Sequence, residues 1–139
     1  MEANNANALK LLEEVVSINS GSMNFEGVKK VGLIFKARLD ALGFDTRWVD
    51  GKPFDRAGHL VAYHTGKGPC KTLLLIGHLD TVFEPSSTLQ KYTVVNDSTA
   101  TGPGVSDMKG GDVIMINSLE ALKQAGLLKT DEYHCCDDR

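Results

Sequence analysis

The sequence predicts an α/β fold in which helices flank a mostly buried sheet, giving three layers. Three observations predict it. Apolar residues recur at helical spacing near both ends of the chain. Alternating, β-rich stretches fill the middle. One central stretch, "KTLLLIG" at 71–77, is continuously apolar with no polar face, which is the pattern of a strand buried on both sides.

Taken in order, "NALKLLEEVVSI" places Leu9, Leu12 and Val16 on one face and reads as an amphipathic first helix. "SGSMNF" interrupts it with Gly21 and offers Ser and Asn caps for a second helix. Val28, Val31, Phe35, Leu39 and Leu42 make that helix's stripe, and Gly43 stands where a helix ends. "FDTRWVD" alternates as a strand and is followed by a loop around "DGKPFDRAG". "HLVAYHT" is a second strand, "GKGPC" a tight turn, "KTLLLIG" the buried strand and "KYTVVND" a further short one. "TATGPGVSDMKGG" reads as a loop. "DVIMINSLEALKQAGLL" is a third helix, with Val113, Ile116, Leu119 and Leu122 three apart and Gly126 near its end. Glu13, Glu14, Lys29 and Lys30 fall on solvated helix faces, and Trp48 and Tyr92 read as packing residues.

The 139 residues amount to one domain or part of one. A net charge of -3 and no basic cluster argue against a nucleic-acid partner. No apolar run approaches the ~18 residues of a membrane span. The N-terminus has neither the basic start nor the apolar core of a signal peptide, which favours the cytoplasm. Three cysteines, two of them adjacent, form no disulfide framework. Cys70 in its turn reads as a plain free thiol.

Two stretches could carry chemistry. In "LLLIGHLDTV", His78 and Asp80 follow the buried strand directly, where open α/β sheets place ligands. Residues two apart on extended chain point the same way, so Asp80 can reach the side His78 faces. A carboxylate on the second ring nitrogen of a metal-bound histidine fixes its tautomer; the plainer reading is a His-Asp pair with no metal. In "GPGVSDMKGGD", four glycines permit an unusual backbone around Asp107, just before the third helix. Asp107 could cap that helix or offer its carboxylate to a metal. A phosphate loop is excluded because Lys109 precedes Gly110, and a dinucleotide fingerprint because Asp107 stands in place of its third glycine. Lys109 could hold the loop or neutralise charge. His59 and His64, in or near a strand and without partner motifs, read as ordinary surface or edge residues.

"GHLDTV" followed by "GPGVSDMKGG" carries a resemblance that neither motif carries alone. The chain resembles the zinc-dependent exopeptidase and deacylase family that includes bacterial glutamate carboxypeptidases, aminoacylases, peptidase T and succinyl-diaminopimelate desuccinylase. The likeness is strongest to the glutamate carboxypeptidase branch, through "SGSMNFEGVKKVG", "LDALGF", "KTLLLIGHLDTVF" and "ATGPGVSDMKGG", and runs from about Leu9 to Leu128. It implies a three-layer, phosphorylase/hydrolase-like catalytic domain, of which residues 1–130 are the N-terminal part. It implies two zinc ions, with His78 binding one, Asp80 orienting His78, Asp107 bridging both, and a cis bond from Asp107 to Met108. It implies hydrolysis of an amide bond next to a C-terminal amino acid, glutamate being the candidate, in a small peptide or N-acyl amino acid. The family's general base and second ligand, a Glu-Glu pair, have no match after the third helix here, nor do its remaining ligands. Its smaller domain, used for homodimerisation, is absent too. The 139 residues alone are therefore expected to be inactive.

The closing "DEYHCCDDR" sets His134, Cys135, Cys136, Asp137 and Asp138 side by side. Adjacent cysteines point apart in most backbones, whereas zinc pairs are usually spaced by two to four residues. Under one choice of synonymous codons, dropping the first base of the Glu132 codon yields "NITVVMTG", a β-rich stretch where the family places a strand before its Glu-Glu pair. Residues 131–139 are thus expected to be an aberrant, frameshifted tail. The rival from another class is a non-catalytic α/β binding module that keeps only the fold.

Overall fold

Three helices and two antiparallel hairpins make up the computed structural model, which describes residues 2–65 and 72–128. The first helix, α1, spans Glu2–Val16. It buries Leu11, Val15 and Val16, while Leu9 stays exposed and Leu12 is half-buried. The expected stripe through Leu9 is therefore displaced. The face that packs is set by the neighbouring helices, not by the densest apolar spacing.

The second helix, α2, spans Phe25–Leu42. The Asn24 side chain caps it by accepting from the Gly27 N–H at 3.1 Å. The same side chain donates to Asn19 and so fastens the turn leading out of α1. Gly43 closes α2 at φ 93°, a left-handed conformation that glycine adopts without a Cβ clash. The Phe44 N–H then reaches Leu39 O and the Gly43 N–H reaches Asp40 O, which satisfies the helix's last carbonyls. All five expected core positions, Val28, Val31, Phe35, Leu39 and Leu42, are buried.

Strands β1 (Asp45–Asp50) and β2 (Gly58–Tyr63) pair through a short 3-10 turn, with Trp48 opposite Leu60. The hairpin lies on α2, where Gly32 makes room for the Trp48 ring: a Cβ there would fall 2.4 Å from it. His59 is exposed on β2, and the His64 ring tilts against Phe44 at 4.9 Å.

The chain then departs from expectation. Residues 72–80 form no strand, and Leu73, Leu74 and Ile76 are 81%, 75% and 76% exposed. A strand buried on both sides needs ladder partners along both edges and a layer over each face. Among the described residues this segment has one contact of that kind, a parallel bridge between Gly21 and Thr81 at its end. The large buried sheet is likewise missing among the described residues: the strands form two separate two-stranded antiparallel sheets. The arrangement is α/β, but without one central sheet.

The second hairpin joins β3 (Thr93–Asn96) to β4 (Thr99–Thr101). The start of the expected loop at 99–111 is thus a strand. Asn96 Oδ1 accepts from the Ser98 N–H at 3.0 Å and shapes the tight turn between them. Helix α3 spans Lys109–Gln124 and ends at Gly126, where φ is 72° and the Leu127 N–H reaches Leu122 O. Its residues Val113 and Ile116 meet Leu11, Val15, Val31, Phe35 and Leu39 in the core. No helix among the described residues is long and apolar enough to cross a membrane. The turn expected at 66–70, Cys70 and the tail at 131–139 lie outside the described residues.

One buried charge ties the helices together. Lys109 is fully buried, and its Nζ donates to Val15 O at 2.8 Å and Ile18 O at 3.0 Å. The ammonium group thereby satisfies carbonyls left open where α1 ends. Burial lowers its pKa to about 8, against the pull of nearby Asp112. Asp112 is also buried, and its Oδ2 has no hydrogen-bond partner among the described residues. Burial raises its pKa to about 6, against the opposing charges of His78 and Lys109.

Two outcomes follow for stability. Truncating buried Phe35 to Ala should cost about 3–5 kcal/mol in urea unfolding, and truncating exposed Leu74 less than about 0.5 kcal/mol. Equal effects would contradict this packing. Asp112 binds its proton more tightly folded than unfolded, where its pKa is 3.8. Its contribution to stability should therefore be fully present below about pH 4 and decline by roughly 2–3 kcal/mol as the pH rises to about 6. Urea unfolding from pH 4 to 7 should show that decline reduced in Asp112→Asn, and an unchanged profile would contradict it.

Candidate metal centre

The site begins where two distant segments are fastened together. The Thr81 N–H donates to Ser20 O at 2.8 Å, and the Ser22 N–H donates to Thr81 O at 3.0 Å. Gly21 lies so close to the passing chain that a Cβ would fall 2.8 Å from Phe83 O. This anchors the end of the extended segment 72–80 and fixes the outlook of His78 and Asp80. Behind them, α3 packs directly under the backbone: a Cβ on Gly77 would lie 2.1 Å from Asp112 Oδ1.

The opposite wall is the turn entering α3. Gly104, at φ 81°, passes within van der Waals reach of Thr81 and Lys109, and a Cβ there would fall 2.8 Å from Thr81 Cγ2. The Asp107–Met108 peptide bond is cis. Asp107 presents its carboxylate outward, with the side chain 89% exposed. Between the walls lies a cleft of about 310 Å³ whose lining includes Ser22, His78, Asp80, Ser106 and Asp107.

His78 and Asp107, 29 residues apart, meet in this cleft, with His78 Nε2 3.0 Å from Asp107 Oδ1. The other ring nitrogen, Nδ1, lies 3.1 Å from the backbone carbonyl of Asp80 and 3.4 Å from its carboxylate Oδ1. The expected Asp80 carboxylate contact is therefore the longer of two, and the residue's own carbonyl is the nearer acceptor. Asp80 Oδ2 instead accepts from Ser22 Oγ at 2.5 Å. Partial burial of the His78 ring pushes its pKa down, but the hydrogen bonds to Asp107 and Asp80 and their negative charges outweigh that. The net result is a pKa above the ordinary 6.5.

The donors that converge are one imidazole nitrogen and one carboxylate. Both are zinc-ligand types, but a closed zinc site takes four. Among the described residues, no group of three or more His, Cys, Asp or Glu side chains is arranged to hold a metal ion. Two residues at the site were not anticipated from the sequence. Ser22 lies 58 residues from Asp80 and gives no local signal. Asp112 had one: it falls beside Val113 and one turn from Ile116 on the face α3 buries, where an acid is out of place.

Comparison with known proteins bears on this arrangement. Peptidase family M20/M25/M40 matches residues 74–133, a span that holds His78, Asp80 and Asp107. Carboxypeptidase G2 of Pseudomonas sp. (strain RS-16) is 32% identical over 119 residues. That alignment takes in 86% of this chain and 28% of the relative, so the chain spans just over a quarter of that protein's length. The span shared with the family profile carries both arms of the cleft, the His78 segment and the Asp107 turn, in the order the two motifs require. By sequence and by these matches, the chain is similar to the peptidase family M20/M25/M40.

Proposed function

We propose that His78 and Asp107 are metal ligands, with Asp80 orienting His78, in a hydrolase that cleaves the amide bond next to a C-terminal amino acid. Glutamate is the candidate amino acid, and a small peptide or N-acyl amino acid the candidate substrate. The observation that carries this reading is the 3.0 Å approach of His78 Nε2 to Asp107 Oδ1 across 29 residues of chain. A nitrogen and a carboxylate oxygen brought to one point form part of a zinc donor set. The relative's designation as a carboxypeptidase supports the reaction class.

In this reading each residue has a defined task. With a metal bound, the Asp80 carbonyl would accept from His78 Nδ1–H, which would leave the Nε2 lone pair for the ion. Asp107, with two carboxylate oxygens, can serve two ions, and the proposed centre is a two-zinc one. Bound zinc would supply a Lewis acid for the scissile carbonyl. Residues 1–130 are proposed as the N-terminal part of a three-layer catalytic domain.

One observation favours a second reading for the 139 residues by themselves. Two converging donors and no larger ligand group among the described residues suit binding without turnover. The chain alone is accordingly predicted to release no glutamate from an N-acyl glutamate in the presence of zinc. Zinc-dependent release by the purified chain would contradict that.

The ligand assignment has its own test. The thiols of Cys135 and Cys136 would compete for zinc, so both are replaced by Ser before titration. Zinc should then shift the His78 ring resonances in NMR spectra, and Asp107→Ala should weaken that binding by about tenfold or more. Shifts confined to other histidines, or an Asp107→Ala titration matching the parent, would overturn the assignment.

A further inference from the structure

We infer that Ser22 is a positioning residue for His78, acting through the carboxylate of Asp80. The inference rests on the reading of His78 as a ligand through Nε2, and goes beyond it by making the α1–α2 turn part of the site.

The Ser22 hydroxyl has one proton and two acceptors in reach. Asp80 Oδ2 lies at 2.5 Å and Thr81 O at 3.3 Å. The shorter bond runs to an ionised oxygen and is charge-assisted, so it takes the proton. Thr81 O is already served by the Ser22 backbone N–H at 3.0 Å. Docking of the turn therefore does not need the side chain, which leaves the hydroxyl's task at the carboxylate.

That task follows from the two sides of the imidazole ring. A neutral imidazole carries one N–H, and the group each nitrogen faces decides where it sits. Asp107 draws the proton to Nε2, the position a metal would need free. The Asp80 carbonyl and carboxylate draw it to Nδ1. The carboxylate's share depends on where it points, and at 3.4 Å from Nδ1 it has little margin. Ser22 holds Oδ2 and so keeps Oδ1 turned toward the ring. Without the hydroxyl the carboxylate is free to rotate toward water, and the balance moves toward Asp107 and an Nε2–H ring.

The tautomer of His78 reports this directly. It is read from the ring nitrogen shifts of the ¹⁵N-labelled 139-residue chain, with metal removed by chelator and at a pH where the ring is neutral. The His78 signals are assigned by their loss in His78→Gln. The parent and Ser22→Thr, which keeps the hydroxyl, should share one ratio of Nδ1–H to Nε2–H. Ser22→Ala should shift the ratio toward Nε2–H by roughly threefold or more. Ser22→Cys, a weak donor of similar size, should fall between them. A parent-like ratio in a folded Ser22→Ala, or a loss in Ser22→Thr as large as in Ser22→Ala, overturns the inference. If the amide spectrum shows that Ser22→Ala does not fold, the Cys and Thr variants decide: equal ratios in the two overturn it. The readout needs neither zinc nor turnover. Failure of zinc to bind at His78 would overturn the ligand assignment and leave the tautomer result to stand by itself.

Discussion

The arrangement depends on a buried lysine. Lys109 sits on the first turn of α3 with its ammonium group on the carbonyls of Val15 and Ile18, where α1 runs out. A cation there completes the open end of one helix and fixes where the next begins. Asp107 lies two residues before it, and Gly104 wraps the lysine's own stem. The position of the Asp107 carboxylate is thus set by an interaction at its back, within the hydrophobic core. Desolvation makes this lysine less basic than usual, and Asp112, itself buried, offsets part of that cost.

From this clamp the cleft takes shape as a meeting of two loops. One is the end of the extended segment 72–80, held to the α1–α2 turn by paired backbone bonds around Thr81. The other is the glycine-bearing turn into α3. Neither loop is rigid by its own secondary structure. Each is placed by a helix end: α1 through Lys109, α2 through the Asn24 cap and its bonds to Asn19. The chemistry-bearing side chains then need only short reaches. His78 spans the cleft to Asp107, while Asp80 and Ser22 stand on its near side.

Much of this was legible in the sequence, because the signals were local. Gly43 and Gly126 mark helix ends through a backbone conformation that few other residues adopt. The stripe from Val28 to Leu42 shows the buried face of α2. "GHLDTV" and "GPGVSDMKGG" bring His78, Asp80 and Asp107 into consideration together, and the structure places all three at one cleft. The failures were non-local. "KTLLLIG" has the composition of a central strand, but a strand is made by its neighbours, and Leu73 to Ile76 find none among the described residues. Strand β4, at three residues, was too short to show alternation before the glycines that follow. Ser22 meets Asp80 only through the fold. The tail at 131–139 drew attention by composition alone, whereas the converging donors stand earlier in the chain.

The proposed metal position lies between His78 and Asp107. Its most direct test is anomalous scattering at the zinc edge, from zinc-soaked crystals of the chain with Cys135 and Cys136 replaced by Ser. An anomalous peak is expected within bonding distance of both His78 Nε2 and an Asp107 carboxylate oxygen. A zinc peak elsewhere, with His78 still hydrogen-bonded to Asp107, would contradict it.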